Sequence, residues 1–376
     1  MDLPAWKNKN ILYTSLGLFW VFFGFAAAQQ YFVPLLKLQG RASLALTSLL
    51  ILYIVFLFSG VIAPKIINHY GTKRSLILGA ITYGLFSLSI MVNNVPLLIC
   101  GSILIGFGAS LLWVSTGQII THFSERERVG RNLGFQSSLV LFGTLCGISL
   151  GGLLINFLSF QELYLLFSFA IFFGLFFLFK IENDSASVSA NKYSPLYLFK
   201  PKLLFLFPLI FAAYFFAGQS FSAINLVVLG LYGIGYVAIA AMVYRVSIVL
   251  GSLNAGRLVD RYSKEKVIMV SASLGIIGVL LFINTSSLLM LLAGLVFLGL
   301  FFSTAYPACL ALLREHSPED EYINYLGSFH VYTNVATVSA LVTTKFLDSR
   351  QGFEIGLAML ILALPSIFLF QKRYGK

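Results

Sequence analysis

Long apolar runs separated by short polar connections pattern this chain from one end to the other. A run of roughly 20 apolar residues matches the thickness of a bilayer's hydrocarbon core, so each is read as a membrane-crossing helix. The spans fall at 11–36, 44–67, 75–91, 97–123, 132–157 and 163–179. Six more follow at 203–229, 234–259, 267–283, 288–313, 322–346 and 353–370. Between the sets lies a polar connection, 181–202, with Asn183-Asp184-Ser185-Ala186-Ser187 at its centre. The pattern predicts an all-α membrane protein of 12 transmembrane helices: an N-terminal six-helix bundle over 1–180, a cytoplasmic linker over 181–202, and a C-terminal six-helix bundle over 203–376. The run 97–123 is longer than one bilayer requires, which implies tilt or protrusion.

Two connections echo one another about half the chain apart. Gly256-Arg257-Leu258-Val259-Asp260-Arg261-Tyr262-Ser263-Lys264 follows the eighth span, and Pro64-Lys65-Ile66-Ile67-Asn68-His69-Tyr70-Gly71-Thr72-Lys73-Arg74 follows the second. Laid together, Asp260 falls on Asn68, Arg261 on His69 and Tyr262 on Tyr70, which is the mark of a duplicated membrane protein.

Composition agrees with this. A chain that is 59% hydrophobic and 10% charged is too apolar for a soluble globule. Its net charge of +11 invites a nucleic-acid reading. Placement of the charges rejects it. With alternating loops and a cytoplasmic N-terminus, all but Lys37, Arg41, Arg245, Lys345 and Arg350 of the 25 Lys and Arg fall on the cytoplasmic side. Both termini are thus expected in the cytoplasm, the basic excess facing lipid headgroups of what the compact loops suggest is a plasma membrane. Lys7 and Lys9 precede a run long enough to span, without the small-residue site of a cleaved signal peptide. Cys100, Cys146 and Cys309 lie within apolar runs and suggest neither disulfides nor a metal site.

The chain resembles the major facilitator superfamily over essentially its whole length. That family's pattern, Gly-x-x-x-Asp-Arg-x-Gly-Arg/Lys-Arg/Lys, is carried by Gly256, Asp260, Arg261 and Lys264, with Ser263 in the glycine's place. In the first copy Gly71, Lys73 and Arg74 remain, while Pro64, Asn68 and His69 depart from the pattern. The resemblance implies two six-helix bundles, each an inverted three-helix repeat, related by a pseudo-two-fold along the membrane normal. It also implies a cytoplasmic gating loop built from Gly256, Asp260, Arg261, Asn68, Gly71 and Arg74 that holds one state of the transport cycle. Asn10-Ile11-Leu12, Ala28-Gln29-Gln30, Ala63-Pro64-Lys65-Ile66-Ile67 and Gly106-Phe107-Gly108-Ala109-Ser110-Leu111-Leu112-Trp113 look like the "uncoordinated" (UNC-ninety-three-like) branch. Members of that branch are described mainly as channel regulators and trafficking partners.

Candidate chemistry is sparse. Arg245 lies 11 residues before Gly256, about 16 Å along a helix and hence near the midplane. No Asp or Glu shares its depth, so it is either a counter-charge for an anionic solute or an arginine hydrogen-bonded to neighbouring helices. Gln29 and Gln219 match between the first and seventh spans, as cavity amides or as interhelical glue. Gln30, Trp113, Gln118, Tyr306 and Asn334 line the cavity or simply pack. His330, in the eleventh span, is a candidate for proton coupling. Gly143-x-x-x-Gly147-Ile148-x-x-Gly151-Gly152 matches a family antiporter pattern except at Ile148, and equally suits close helix packing.

No motif for catalysis, a cofactor or a metal is present, so the chain is read as not an enzyme. The expected activity is secondary transport of a small organic solute, anionic or polar, by alternating access. Arg245, Gln29, Gln30, Gln219, Trp113 and Tyr306 would bind it between the bundles. The alternative is a non-transporting regulatory or chaperone subunit that binds another membrane protein.

Overall fold

The structure is a computed structural model in which residues 8–124, 129–182, 198–316 and 322–374 are described. Among them there are thirteen helices and no strand. The chain divides into two compact units, Met1–Asn191 and Lys192–Lys376. Unit 1 holds α1 (Lys9–Leu38), α2 (Ala42–Tyr70), α3 (Thr72–Val92), α4 (Val95–His122), α5 (Val129–Leu154) and α6 (Phe160–Leu178). Unit 2 holds α7 (Pro201–Gln219), α8 (Ala223–Tyr232), α9 (Ile234–Arg261), α10 (Lys264–Ile283), α11 (Leu288–His316), α12 (Tyr322–Phe346) and α13 (Ser349–Tyr374). The connection expected at 181–202 falls largely outside the described residues.

By length and composition, 11 of the described helices can cross a membrane. The other two have physical explanations. Helix α12 lacks a sufficiently apolar window because it carries His330, Asn334 and several threonines. Helix α8, of 10 residues, is the far half of a crossing that the sequence reads as one unbroken run, 203–229. The chain leaves helical geometry at Ser220–Ser222, where Ser222 takes φ −125° and ψ −96°.

Local chemistry sets many of the helix ends. Asn8 caps α1 by accepting from the Asn10 and Ile11 amides. Ser159 and Glu162 form a reciprocal capping box at the start of α6. Gly71, at φ 88° and ψ 153°, is the single residue joining α2 to α3, a conformation essentially reserved for glycine. The matching connection in unit 2 uses two residues, Tyr262 at φ −117° and Ser263 at φ −61°. Because both are negative, the family glycine is not needed there, and Ser263 replaces it without strain.

The two units share one packing scheme. In unit 1, α1 packs on α5 and α6, α3 on α4 and α6, and α2 on α4. In unit 2, α7 packs on α12 and α13, α10 on α11 and α13, and α9 on α11. The duplication suggested by two loops therefore extends to helix adjacency. Small residues let the backbones approach. A Cβ on Gly143 or Gly147 would collide with the backbone of Phe19 or Phe23 on α1, which accounts for the glycine series of α5 as close packing.

In both units, polar side chains at helix ends tie neighbouring ends together. Asn8 Nδ2 donates to the Phe123 carbonyl at 2.8 Å, and Asn10 Nδ2 to Glu182 Oε2 at 3.0 Å. In unit 2, Lys202 Nζ donates to the His316 carbonyl, and His316 Nε2 lies 3.1 Å from the Tyr374 carbonyl.

Candidate functional site

Unit 1 contains a cavity of about 160 Å³. Helix α1 presents Phe22, Phe25 and Gln29 to it at the three- and four-residue spacings that align one helix face. Leu52, Tyr53 and Phe56 come from α2, Tyr83 from α3, and Ile105, Ala109 and Trp113 from α4 at every fourth position. Gln29 Nε2 donates to the Tyr53 hydroxyl at 2.8 Å. The rings interlock: Phe25 meets Tyr83 edge-on at 4.6 Å, and Phe22 lies 5.2 Å from Trp113 and 5.8 Å from Tyr83. Trp113 is 40% exposed, whereas Tyr83 beneath it is 2% exposed.

Of the residues expected to bind solute, Gln29 and Trp113 line this cavity; Gln30 is buried and is not part of the lining. Gln118 instead accepts a 3.5 Å hydrogen bond from Thr72.

Gln219, the expected counterpart of Gln29, is placed differently. It is 0% exposed at the break between α7 and α8. Its Nε2 donates to Thr343 Oγ1 at 3.1 Å and, at 3.4 Å, to the Ala340 carbonyl. Its Oε1 accepts from Thr344 Oγ1 at 3.2 Å. Ser222 donates to the Gly218 carbonyl at 2.8 Å and lies 3.1 Å from Thr344 Oγ1. Gln219 is thus engaged on both ends of its amide in holding a broken helix against α12, and the glue reading describes this geometry.

Arg245 sits midway along α9, half-buried, with its guanidinium 5.8 Å from the Tyr244 ring. Tyr306 belongs to an aromatic cluster with Tyr214 at 6.3 Å and Phe329 at 5.7 Å. His330 adjoins that cluster, 6.0 Å from Phe329, with an exposed side chain; Asn334, one turn on, is buried.

At the α2–α3 connection Arg74 is exposed beside Gly71. The side chains of Asn68, Asp260 and Arg261, and the surroundings of Gly256, lie outside the described residues. Lys264, also part of the expected gating pattern, pairs with Glu315 at 2.6 Å between α10 and α11. Among the described residues, no group of three His, Cys, Asp or Glu is arranged to hold a metal.

The sequence reading passed over Phe22, Phe25, Phe56 and Tyr83 because aromatics within apolar runs look like core. One signal could have found part of the site. A tyrosine hydroxyl at bilayer depth favours a polar partner, and Tyr53 has Gln29 within reach on the adjacent span.

The profile of the Major Facilitator Superfamily matches residues 11–248 and 210–374. UNC93-like protein 3 of Arabidopsis thaliana is 26% identical over 135 residues, which is 36% of this chain and 28% of that protein. UNC93-like protein MFSD11 of Xenopus laevis is 28% identical over 150 residues, 39% of this chain and 34% of that protein. The matches span about a third of the length of these relatives. Among solved structures, a D-xylose–proton symporter superposes with a TM-score of 0.79 at 14% identity, covering 97% of both chains. A POT family transporter in complex with 5-aminolevulinic acid gives 0.81 at 11% identity, covering 97% of this chain and 96% of that one. At such identities the likeness speaks for the fold: twelve crossings in two six-helix bundles. With its profile matched from residue 11 to residue 374, the chain belongs to the Major Facilitator Superfamily.

Proposed function

We propose that this protein is a secondary transporter that carries a small organic solute, anionic or polar, across the membrane by alternating access. The observation that carries the reading is the unit 1 cavity. A recess of about 160 Å³ lined by aromatic side chains with a few polar groups is what a small-molecule site presents. The structural relatives named for D-xylose and for 5-aminolevulinic acid support a small-molecule cargo.

Arg245 selects an anionic or carbonyl-rich group through its forked donors. Gln29, Trp113 and Tyr306 contact the solute. Gln30 and Gln219 shape the site indirectly, through helix packing. The Gly256, Asp260 and Arg261 segment latches one state, with Gly71, Arg74 and Asn68 as its partial counterpart. His330 is the group for proton coupling. Both termini face the cytoplasm and the plasma membrane is the site of action, a reading that the basic excess of the connections supports. No catalytic step and no cofactor enter this scheme.

A thermal-shift screen of the purified protein against organic anions, cations and neutral metabolites, with Arg245→Ala in parallel, tests the reading. A ligand at 100 times its dissociation constant adds roughly 2.7 kcal/mol of apparent stability. Stabilisation by an anion that vanishes in Arg245→Ala supports it. A flat screen with a merely less stable variant speaks against it.

The second reading is a regulatory or chaperone subunit bound to another membrane protein. It is favoured by the similarity to UNC93-like proteins and by Asn68 and His69, which stand where the family's first gating loop carries charge. A membrane protein that co-purifies stoichiometrically, together with a flat screen, would favour that reading.

A further inference from the structure

We infer that the unit 1 cavity is a receptor for one planar aromatic ring, the apolar end of the solute. The inference rests on the transporter reading for its purpose, but its geometry belongs to unit 1 alone. Size is the first argument. Apolar cavities on the order of 150 Å³ accept a benzene ring, and this one measures about 160 Å³. Shape is the second. The walls are Phe22, Phe25, Tyr53, Phe56, Tyr83 and Trp113, inclined to one another by angles such as 47°, 63° and 74°. An inserted ring therefore meets some neighbours by face and others by edge, the arrangements that aromatic quadrupoles favour.

The polar groups exclude the competing classes. Gln29 donates to Tyr53, and most of the other lining residues, Phe22, Phe25, Leu52, Phe56, Ile105 and Ala109 among them, offer no polar group. A polyol entering here would give up its water for a lining with few polar groups, leaving most of its hydroxyls unsatisfied. A quaternary cation would also find aromatic faces. Yet among the described lining residues none is charged, so nothing offsets its desolvation. A ring makes neither demand. Its single polar substituent could exchange with the Gln29–Tyr53 bond at the wall.

The test compares benzyl alcohol with cyclohexylmethanol, which matches it in size but is saturated and puckered. Both partition into detergent, so the difference between them reports the protein site. Binding to the full-length purified protein is read by thermal shift and by Trp113 emission in a Trp6→Phe/Trp20→Phe background, since the chain has three tryptophans. Benzyl alcohol is expected to bind at least about tenfold more tightly than its saturated counterpart, a preference lost in Trp113→Ala. Trp20→Ala is the control and keeps the preference, because Trp20 meets Phe173 edge-on at 4.9 Å and does not line the cavity. Should Trp113→Ala fail to fold, Ala109→Leu fills the cavity from its own wall and must also abolish the preference. Equal binding of the two alcohols, a preference that survives both cavity variants, or stronger binding of tetramethylammonium overturns the inference. Ring binding without flux would sink the transporter reading alone. Flux of a non-aromatic solute without ring preference would sink only this one.

Discussion

Gly147→Ala adds one methyl group where α5 crosses α1, and its consequence can be worked from the backbone. The new Cβ would lie 2.7 Å from the carbonyl carbon of Phe23 and 3.0 Å from its Cα, closer still to its oxygen. All three atoms are main chain, so no rotamer change relieves the contact. Carbon atoms settle at about 3.5–4.0 Å, so α5 must move away from α1 on the order of 1 Å. Overpacking of this kind costs about 1–3 kcal/mol.

Gly134, on the same helix, has nothing within 4 Å of its would-be Cβ. Both variants gain the same helix propensity, up to about 1 kcal/mol. The gain cancels between them, leaving the packing cost as their difference. For a cooperative unit near 190 residues, roughly 2–4 °C of melting temperature corresponds to each kcal/mol. Thermal unfolding of both variants in one detergent should therefore separate them by several degrees, with Gly134→Ala at or above the parent. If Gly147→Ala melts with Gly134→Ala, the glycines are not packing residues, and the antiporter reading of their pattern regains its place.

The same geometry sets the outcome of other substitutions. Gln219→Leu should destabilise by about 1–2 kcal/mol. In a double-mutant cycle with Thr344→Val the two changes should couple by at least about 0.5 kcal/mol, whereas simple additivity would separate Gln219 from the helix break. Gly71→Ala should cost about 1–3 kcal/mol in chemical or thermal unfolding because of its positive φ. Ser263→Ala, at negative φ and without a side-chain cap bond, should change stability by no more than about 0.5 kcal/mol.

The helix inventory was largely legible because a bilayer imposes one length on every apolar run. What hid the break after Gln219 is that its causes are not local. Leu203–Gln219 and Ala223–Tyr232 are each apolar, and three residues of turn between them leave hydropathy unchanged. The break is held by Thr343 and Thr344, more than a hundred residues away. Gln29 and Gln219, matched in sequence, are placed differently for the same reason. One faces a tyrosine across a cavity, and the other faces a pair of threonines across a tight interface. The α9–α10 connection shows the opposite case, in which a departure from the family pattern was legible but harmless. Ser263 breaks the glycine rule, and the two-residue turn removes the need for it. The aromatic walls of unit 1 could not be separated from core by periodicity alone, since Phe22 and Phe25 fall on the face that packing requires in either case.

The measurement that bears most directly on the central claim is solute counterflow. Purified protein in liposomes, preloaded with excess of the ligand that the thermal-shift screen identifies, is diluted into a trace of the same ligand in labelled form. Secondary transport by alternating access predicts transient uptake of label above equilibrium, abolished by Arg245→Ala and absent from empty liposomes. Tight ligand binding with no transient accumulation would contradict it, and would make the cavity a binding site in a protein that does not transport.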